Sequence, residues 1–162
     1  MKTISKAGLL FFICMQTLVS APVKVVNMDT LLKETTAGKN DTLYVVNFWA
    51  TWCAPCVKEL PAFQTMYTKF APQKVKMIFV SLNTIKDNAT VEKFAKQHDL
   101  KPEVLLLDAG NPNVWINKVD TTWSGTIPAT AMYRMGKKVY FHEGDFTEDQ
   151  LKNIIQLKLS EK

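Results

Sequence analysis

The chain has 162 residues, 47% of them apolar and 22% charged, a composition that supports one sizeable core and requires no second domain. Its net charge of +5 is spread along the chain rather than gathered into a run, which excludes the electrostatic footprint of a nucleic-acid binder. No repeat or low-complexity segment is present.

Residues 1–21 differ from the rest. Lys2 and Lys6 precede the apolar run from Gly8 to Met15, and Val19-Ser20-Ala21 follows the small-x-small cleavage pattern, which predicts a secretory signal peptide cut after Ala21. The rival reading, a membrane anchor, requires roughly 20 apolar residues, and this run is far shorter. Lipidation at Cys14 is disfavoured by Phe11-Phe12-Ile13, which lack the small residues expected before a lipidated cysteine. Cleavage leaves a domain over 22–162 with 18 basic and 15 acidic side chains, a net charge of +3, and Cys53 and Cys56 as its only thiols. A periplasmic or secreted domain with no other cysteine has no structural disulfide framework, so this pair serves chemistry or a metal.

The β-branched Val23–Val26 segment predicts an edge strand. Asn27 or Asp29 can cap a short helix through Leu31, Leu32 and Glu34, ended by Gly38. Asn40-Asp41 turns the chain into the nearly unbroken apolar run Leu43–Trp49, expected of a central strand covered on both faces.

Directly behind that strand stands Thr51-Trp52-Cys53-Ala54-Pro55-Cys56, and Cys53–Phe70 carries Val57, Leu60, Phe63, Met66, Tyr67 and Phe70 at helical spacing, with a kink expected at Pro61. A strand feeding a helix delivers the first thiol to the helix N-terminus, where unpaired N–H groups and the positive end of the dipole favour thiolate. Cys53 is therefore the attacking sulfur, and Cys56, one turn inside, the shielded resolving one. The competing reading of the pair is half of a zinc site. It lacks further ligands, since His98 and His142 have no ligand spacing to the cysteines or to each other and read as ordinary surface or strand-end residues.

Val75–Leu82 predicts a second buried strand, Ala89–Asp99 a second crossover helix with Val91, Phe94 and Ala95 inward, and Glu103–Leu107 a further strand. Asp108–Asn113 is a loop of turn formers and Val114–Val119 a short helix. Trp115 and Trp123 flank this insert and are expected to pack within it, or else to shape a partner groove. A strand begins in Thr126–Tyr133, Met135–Lys138 turns it into an antiparallel Val139–His142, and Gly144 and Thr147 precede a last helix, Glu148–Leu159. Crossover helices demand parallel pairing and the hairpin an antiparallel edge, so the expected α/β fold is a mixed central sheet with helices on both faces.

Phe48-Trp49-Ala50-Thr51-Trp52-Cys53-Ala54-Pro55-Cys56, followed by Lys58-Glu59-Leu60-Pro61 and, far downstream, by Ile127-Pro128, resembles the exported TlpA/ResA-like branch of the thioredoxin superfamily from about Leu43 to the C-terminus. The resemblance implies a thioredoxin-like fold and a thiol-disulfide oxidoreductase, with the Cys53–Cys56 disulfide as redox centre and no cofactor or metal. It implies that Pro128 is cis and lies against the sulfurs, where the residue taken alone reads as a trans proline opening an edge strand, that Ile127 offers its backbone to an extended substrate peptide, and that Trp52, Ala54 and Pro55 form the docking rim around Cys53. Phe48 and Trp49 are expected in the core. One departure matters: thioredoxins proper place a buried aspartate six residues before the first cysteine, and here Asn47 stands there. Glu59 matches a glutamate of the ResA-like group and can take the Cys56 proton; its other reading is an exposed helix carboxylate beside Lys58.

The implied partners are a disulfide-containing substrate protein and a membrane electron donor that recharges the dithiol, with no stable membrane insertion after signal cleavage. Supplied by an oxidant instead, the same pair serves an oxidase or isomerase. A binding module whose thiols are incidental, and a peroxidase, are rivals of other classes. The first tolerates Cys53→Ser and the second consumes hydrogen peroxide.

Overall fold

The computed structural model describes residues 23–37 and 41–161; the predicted signal peptide, Gly38 and Asn40 lie outside them. Six strands form one sheet in the order β1-β4-β3-β2-β5-β6: β1 Lys24–Asn27, β2 Leu43–Trp49, β3 Val75–Ser81, β4 Glu103–Asp108, β5 Ala129–Arg134 and β6 Lys137–Glu143. The first four run parallel, and β5 and β6 are antiparallel. The helices are α1 Met28–Thr36, α2 Ala54–Phe70, α3 Asn88–Gln97, α4 Pro112–Val119 and α5 Glu148–Ser160. Among the described residues no helix is long and apolar enough to cross a membrane.

The two-residue period of β2 sorts the protein into two cores. Leu43, Val45 and Trp49 point to the face covered by Leu60, Phe63, Met66 and Phe70 of α2, Val91 of α3, and Leu151 and Ile155 of α5. Val46 and Phe48 point to the opposite face, against Met28 and Leu31 of α1 and Trp115 and Val119 of α4. Both faces are dry, which is why the strand is written as a continuous apolar run. Trp115 and Trp123 are buried, 5.4 Å apart ring to ring, and both lie against Phe48. Their role is core packing.

Local signals account for the element ends. Asn27 caps α1 by accepting the Thr30 N–H at 2.8 Å. Met135 and Gly136, both at positive φ, make a two-residue hairpin turn whose twist matches the flanking strands. Thr147 and Gln150 form a reciprocal capping box that starts α5. Three expectations shift. Cys53 caps α2 rather than opening it. The helix runs unbroken through the exposed Pro61. Strand β5 begins at Ala129 instead of Thr126: the Thr126 carbonyl accepts from the Trp123 side chain and the Ile127 carbonyl faces Cys53 Sγ, so regular strand pairing starts only after Pro128.

Candidate active site

The site lies where β2 ends and α2 begins. Cys53 takes an extended conformation at the N-cap of α2, and the Cys56 N–H points at its Sγ from 3.3 Å. The two sulfurs are joined as a disulfide with Cα atoms 5.3 Å apart. Cys53 is 6% exposed and Cys56 is completely buried, so any partner reaches Cys53 first. The helix start that supplies an N–H to the disulfide would supply it to a thiolate after reduction, at about twice the strength of a neutral hydrogen bond.

The residues around the sulfurs come from two segments at one end of the sheet, the β2–α2 junction and the loop before β5. Trp52 stands 68% exposed beside Cys53, and Ala54 and Pro55 are exposed on the first turn of α2. The Ile127–Pro128 peptide bond is cis, and the Ile127 carbonyl oxygen lies 3.7 Å from Cys53 Sγ. Pro128 is buried and Ile127 half-buried. All of the residues singled out in the sequence around Cys53 are thus brought to one place.

Glu59 is 3% exposed, which overturns its reading as an exposed carboxylate beside Lys58. Its position in α2 turns it to the sheet, away from the side on which Lys58 meets water. Oε1 accepts from Asn47 Nδ2 at 2.8 Å and Oε2 from the Phe146 N–H at 2.8 Å. Burial nevertheless raises its pKa to about 7, against those two hydrogen bonds and with the nearby negative charge of Asp145 adding to the rise. The α5 capping box fixes the entry of the chain at Phe146, whose ring also packs against Phe63 with centroids 6.3 Å apart.

Two clamps hold the site and were not visible in the sequence. Asn83, after β3, accepts the Thr51 N–H at 3.0 Å through Oδ1 and donates to Thr51 Oγ1 at 2.8 Å through Nδ2, pinning the loop before Cys53. Glu143 accepts the Ser124 N–H at 2.9 Å and also the Ser124 hydroxyl, while Trp123 Nε1 donates to the Thr126 carbonyl at 2.8 Å, fixing the approach to Ile127. Gly144, at φ +124°, donates its N–H to the Pro128 carbonyl at 2.9 Å. The one available signal was the placement of polar residues at or just beyond the ends of β3 and β6, at the end of the sheet that carries the cysteines. His98 stacks on Phe94 and His142 lies against Phe146. Among the described residues no group of three or more His, Cys, Asp or Glu side chains converges to hold a metal ion.

Comparison with known proteins agrees with this geometry. The chain is 34% identical to the thiol-disulfide oxidoreductase ResA of Bacillus cereus over 113 residues, which cover 68% of this chain and 60% of that protein. It thus spans about three fifths of that relative's length. Among solved structures, StoA from Bacillus subtilis superposes with a TM-score of 0.56 at 28% identity, covering 70% of this chain and 82% of that one. A thioredoxin-related protein from Neisseria meningitidis serogroup B superposes with a TM-score of 0.64 at 26% identity, covering 75% and 88%. The fold is therefore thioredoxin-like, and the ResA-like resemblance read from the cysteine motif is shown. The family model that matches spans residues 27–142, from the cap of α1 to the end of the sheet, and the chain belongs to the AhpC/TSA family.

Proposed function

We propose that the protein is an exported thiol-disulfide oxidoreductase that reduces disulfides of partner proteins through Cys53 and Cys56. The observation that carries this reading is the bonded pair at the start of α2, with Cys53 slightly exposed beside the Ile127 carbonyl and Cys56 completely buried.

In the reductive half-cycle the Cys53 thiolate attacks a substrate disulfide, whose S–S bond breaks as a substrate thiolate departs and takes up a proton. Cys56 gives its proton to the Glu59 carboxylate and attacks Cys53 Sγ. The mixed disulfide breaks and the second substrate thiolate leaves, to be protonated in turn. The substrate gains two electrons and two protons, and the pair is left as the disulfide. A membrane electron donor returns two electrons to reopen it. Glu59 suits its part because it is buried, one helical turn beyond Cys56, and has a pKa near 7, so it can both take and release a proton at neutral pH. Trp52, Ala54 and Pro55 form the rim against which the partner docks, and Ile127 and Pro128 receive its extended segment. The leader read from residues 1–21 supports work in a periplasm or outside the cell.

The test is capture. With Cys56→Ser, Cys53 attacks but nothing resolves the adduct, so partner proteins accumulate on Cys53 as mixed disulfides that thiol reductants release. Cys53→Ser captures nothing and does not turn over. Equal partner recovery by both variants, insensitive to reductant, would contradict the proposal and favour a non-catalytic binding module.

A further inference from the structure

Asn47 is completely buried on β2, on the face that α2 covers, and the two ends of its side-chain amide are treated unequally. Nδ2 donates to Glu59 Oε1 at 2.8 Å and to Thr130 Oγ1 at 3.2 Å, which uses both of its hydrogens. Oδ1 is buried with no hydrogen-bond partner. A partnerless amide carbonyl inside a protein carries a desolvation cost that an apolar residue of similar size would avoid. Asn47 and Thr130 are direct cross-strand partners in the β2–β5 register. The amide therefore bridges α2 to the strand that follows Pro128.

We propose that Asn47 is a positioning residue that serves Glu59 in both of its protonation states by reversing its amide. The inference rests on the reading of Glu59 as the group that takes the Cys56 proton. The observed arrangement fits the carboxylate, which needs donors: Asn47 gives one hydrogen to Oε1, and the Thr130 hydroxyl accepts the other. Once Glu59 carries a proton, its O–H needs an acceptor. Rotating the amide by half a turn exchanges Oδ1 with Nδ2. Oδ1 then accepts the Glu59 O–H and the Thr130 O–H, since a hydroxyl can either accept or donate. The Phe146 N–H stays on Oε2 in both states. The proton moves only between Glu59 and its exchange partner, and no charge is created on Asn47. The unmet hydrogen-bonding capacity passes from Oδ1 to Nδ2, so the unsatisfied atom is the consequence of serving two states with one amide.

An aspartate at this position would have no hydrogen to offer the ionised Glu59, and a leucine would offer neither donor nor acceptor. The charged and titratable groups around Glu59 are few. Asp145 approaches it from the segment before α5, His142 of β6 lies against the Phe146 ring, and on α2 itself stand the exposed Lys58 and, one turn earlier, Cys56. Glu59 titrates near neutrality in this setting, so both amide states lie within reach of a working pH.

The experiment is a side-chain NMR titration of the oxidised wild-type chain between about pH 5 and about pH 9, following Glu59 Cδ and the Asn47 amide protons. We expect the nuclear Overhauser contacts from both Asn47 amide protons to the Thr130 side chain to be present at the alkaline end. They should disappear at the acid end, with the same midpoint as Glu59. Contacts that persist while Glu59 titrates overturn the reversal, and so does a Glu59 that does not titrate in this range. A second measurement uses Asn47→Leu, which should move the Glu59 midpoint upward by at least about one pH unit because the carboxylate loses its side-chain donor. In a Glu59→Gln background the same substitution should leave the pH profile of disulfide exchange unchanged. A Glu59 midpoint unmoved by Asn47→Leu contradicts the proposal. The titration needs neither substrate nor turnover, so a wild-type protein that fails to exchange disulfides would refute the oxidoreductase reading while still answering this one.

Discussion

Replacing Glu59 by glutamine should change the pH dependence of stability in a calculable way. A carboxyl that titrates at 4.5 in the unfolded chain and about 7 in the folded one keeps its proton in the native state where the unfolded state has already lost it. Stability then falls as pH rises through that window, because the native state binds more protons. The gap of about 2.5 units, at about 1.4 kcal/mol each, amounts to about 3 kcal/mol that is present below pH 4.5 and gone above pH 7. Glu59→Gln is neutral at every pH. Its Oε1 can accept the Phe146 N–H, and its Nε2 can donate to Asn47 Oδ1 once the Asn47 amide reverses to turn that oxygen toward residue 59. Urea unfolding of both oxidised proteins between about pH 4 and about pH 9 isolates this contribution, since other titrating groups, Asp120 and Glu143 among them, cancel in the difference. The variant should gain about 3 kcal/mol on wild type across the range, with most of the change between pH 4.5 and 7. A difference independent of pH, or one in which the variant loses ground as pH rises, would refute the assignment of a raised pKa to burial.

Trp52→Ala should leave stability within about 0.5 kcal/mol of wild type, because the ring is 68% exposed. It should raise KM for a protein disulfide by up to about tenfold while sparing a small disulfide, which steady-state kinetics with the two substrates will show. Phe63→Ala empties a fully buried place between Phe79 and Phe146 and should cost about 3–5 kcal/mol by denaturant unfolding. Because Phe146 carries a donor to Glu59, the same variant should also shift the pH dependence of exchange.

The elements were legible because each carries its own periodicity. The dry run of β2 and the three- and four-residue spacings of α2 depend on burial alone, and burial is written in residue type. The cysteine pair was legible because two thiols at that spacing, after a strand and before a helix, have few uses. Glu59 was only half legible. Its place in the helix follows from its spacing to Cys56, whereas its burial depends on Asn47 of β2 and Phe146 before α5, residues 12 and 87 positions away. The Asn83 and Glu143 clamps were missed for the same reason, since a polar residue in a loop or at a strand end acquires a role only from the groups it happens to meet. Thr126–Pro128 read as strand from its composition, and its actual path follows from contacts with Trp123 and Cys53.

The central claim is that Cys53 and Cys56 exchange two electrons reversibly with protein partners. Its most direct test is equilibration of the purified protein across graded thiol–disulfide buffers, counting free thiols by alkylation and mass. The account predicts one two-electron transition in which both thiols appear together, with a midpoint well below about −200 mV, as a reductant requires. A midpoint near about −120 mV would reverse the direction of the reaction, and the absence of any reversible transition would contradict the claim itself.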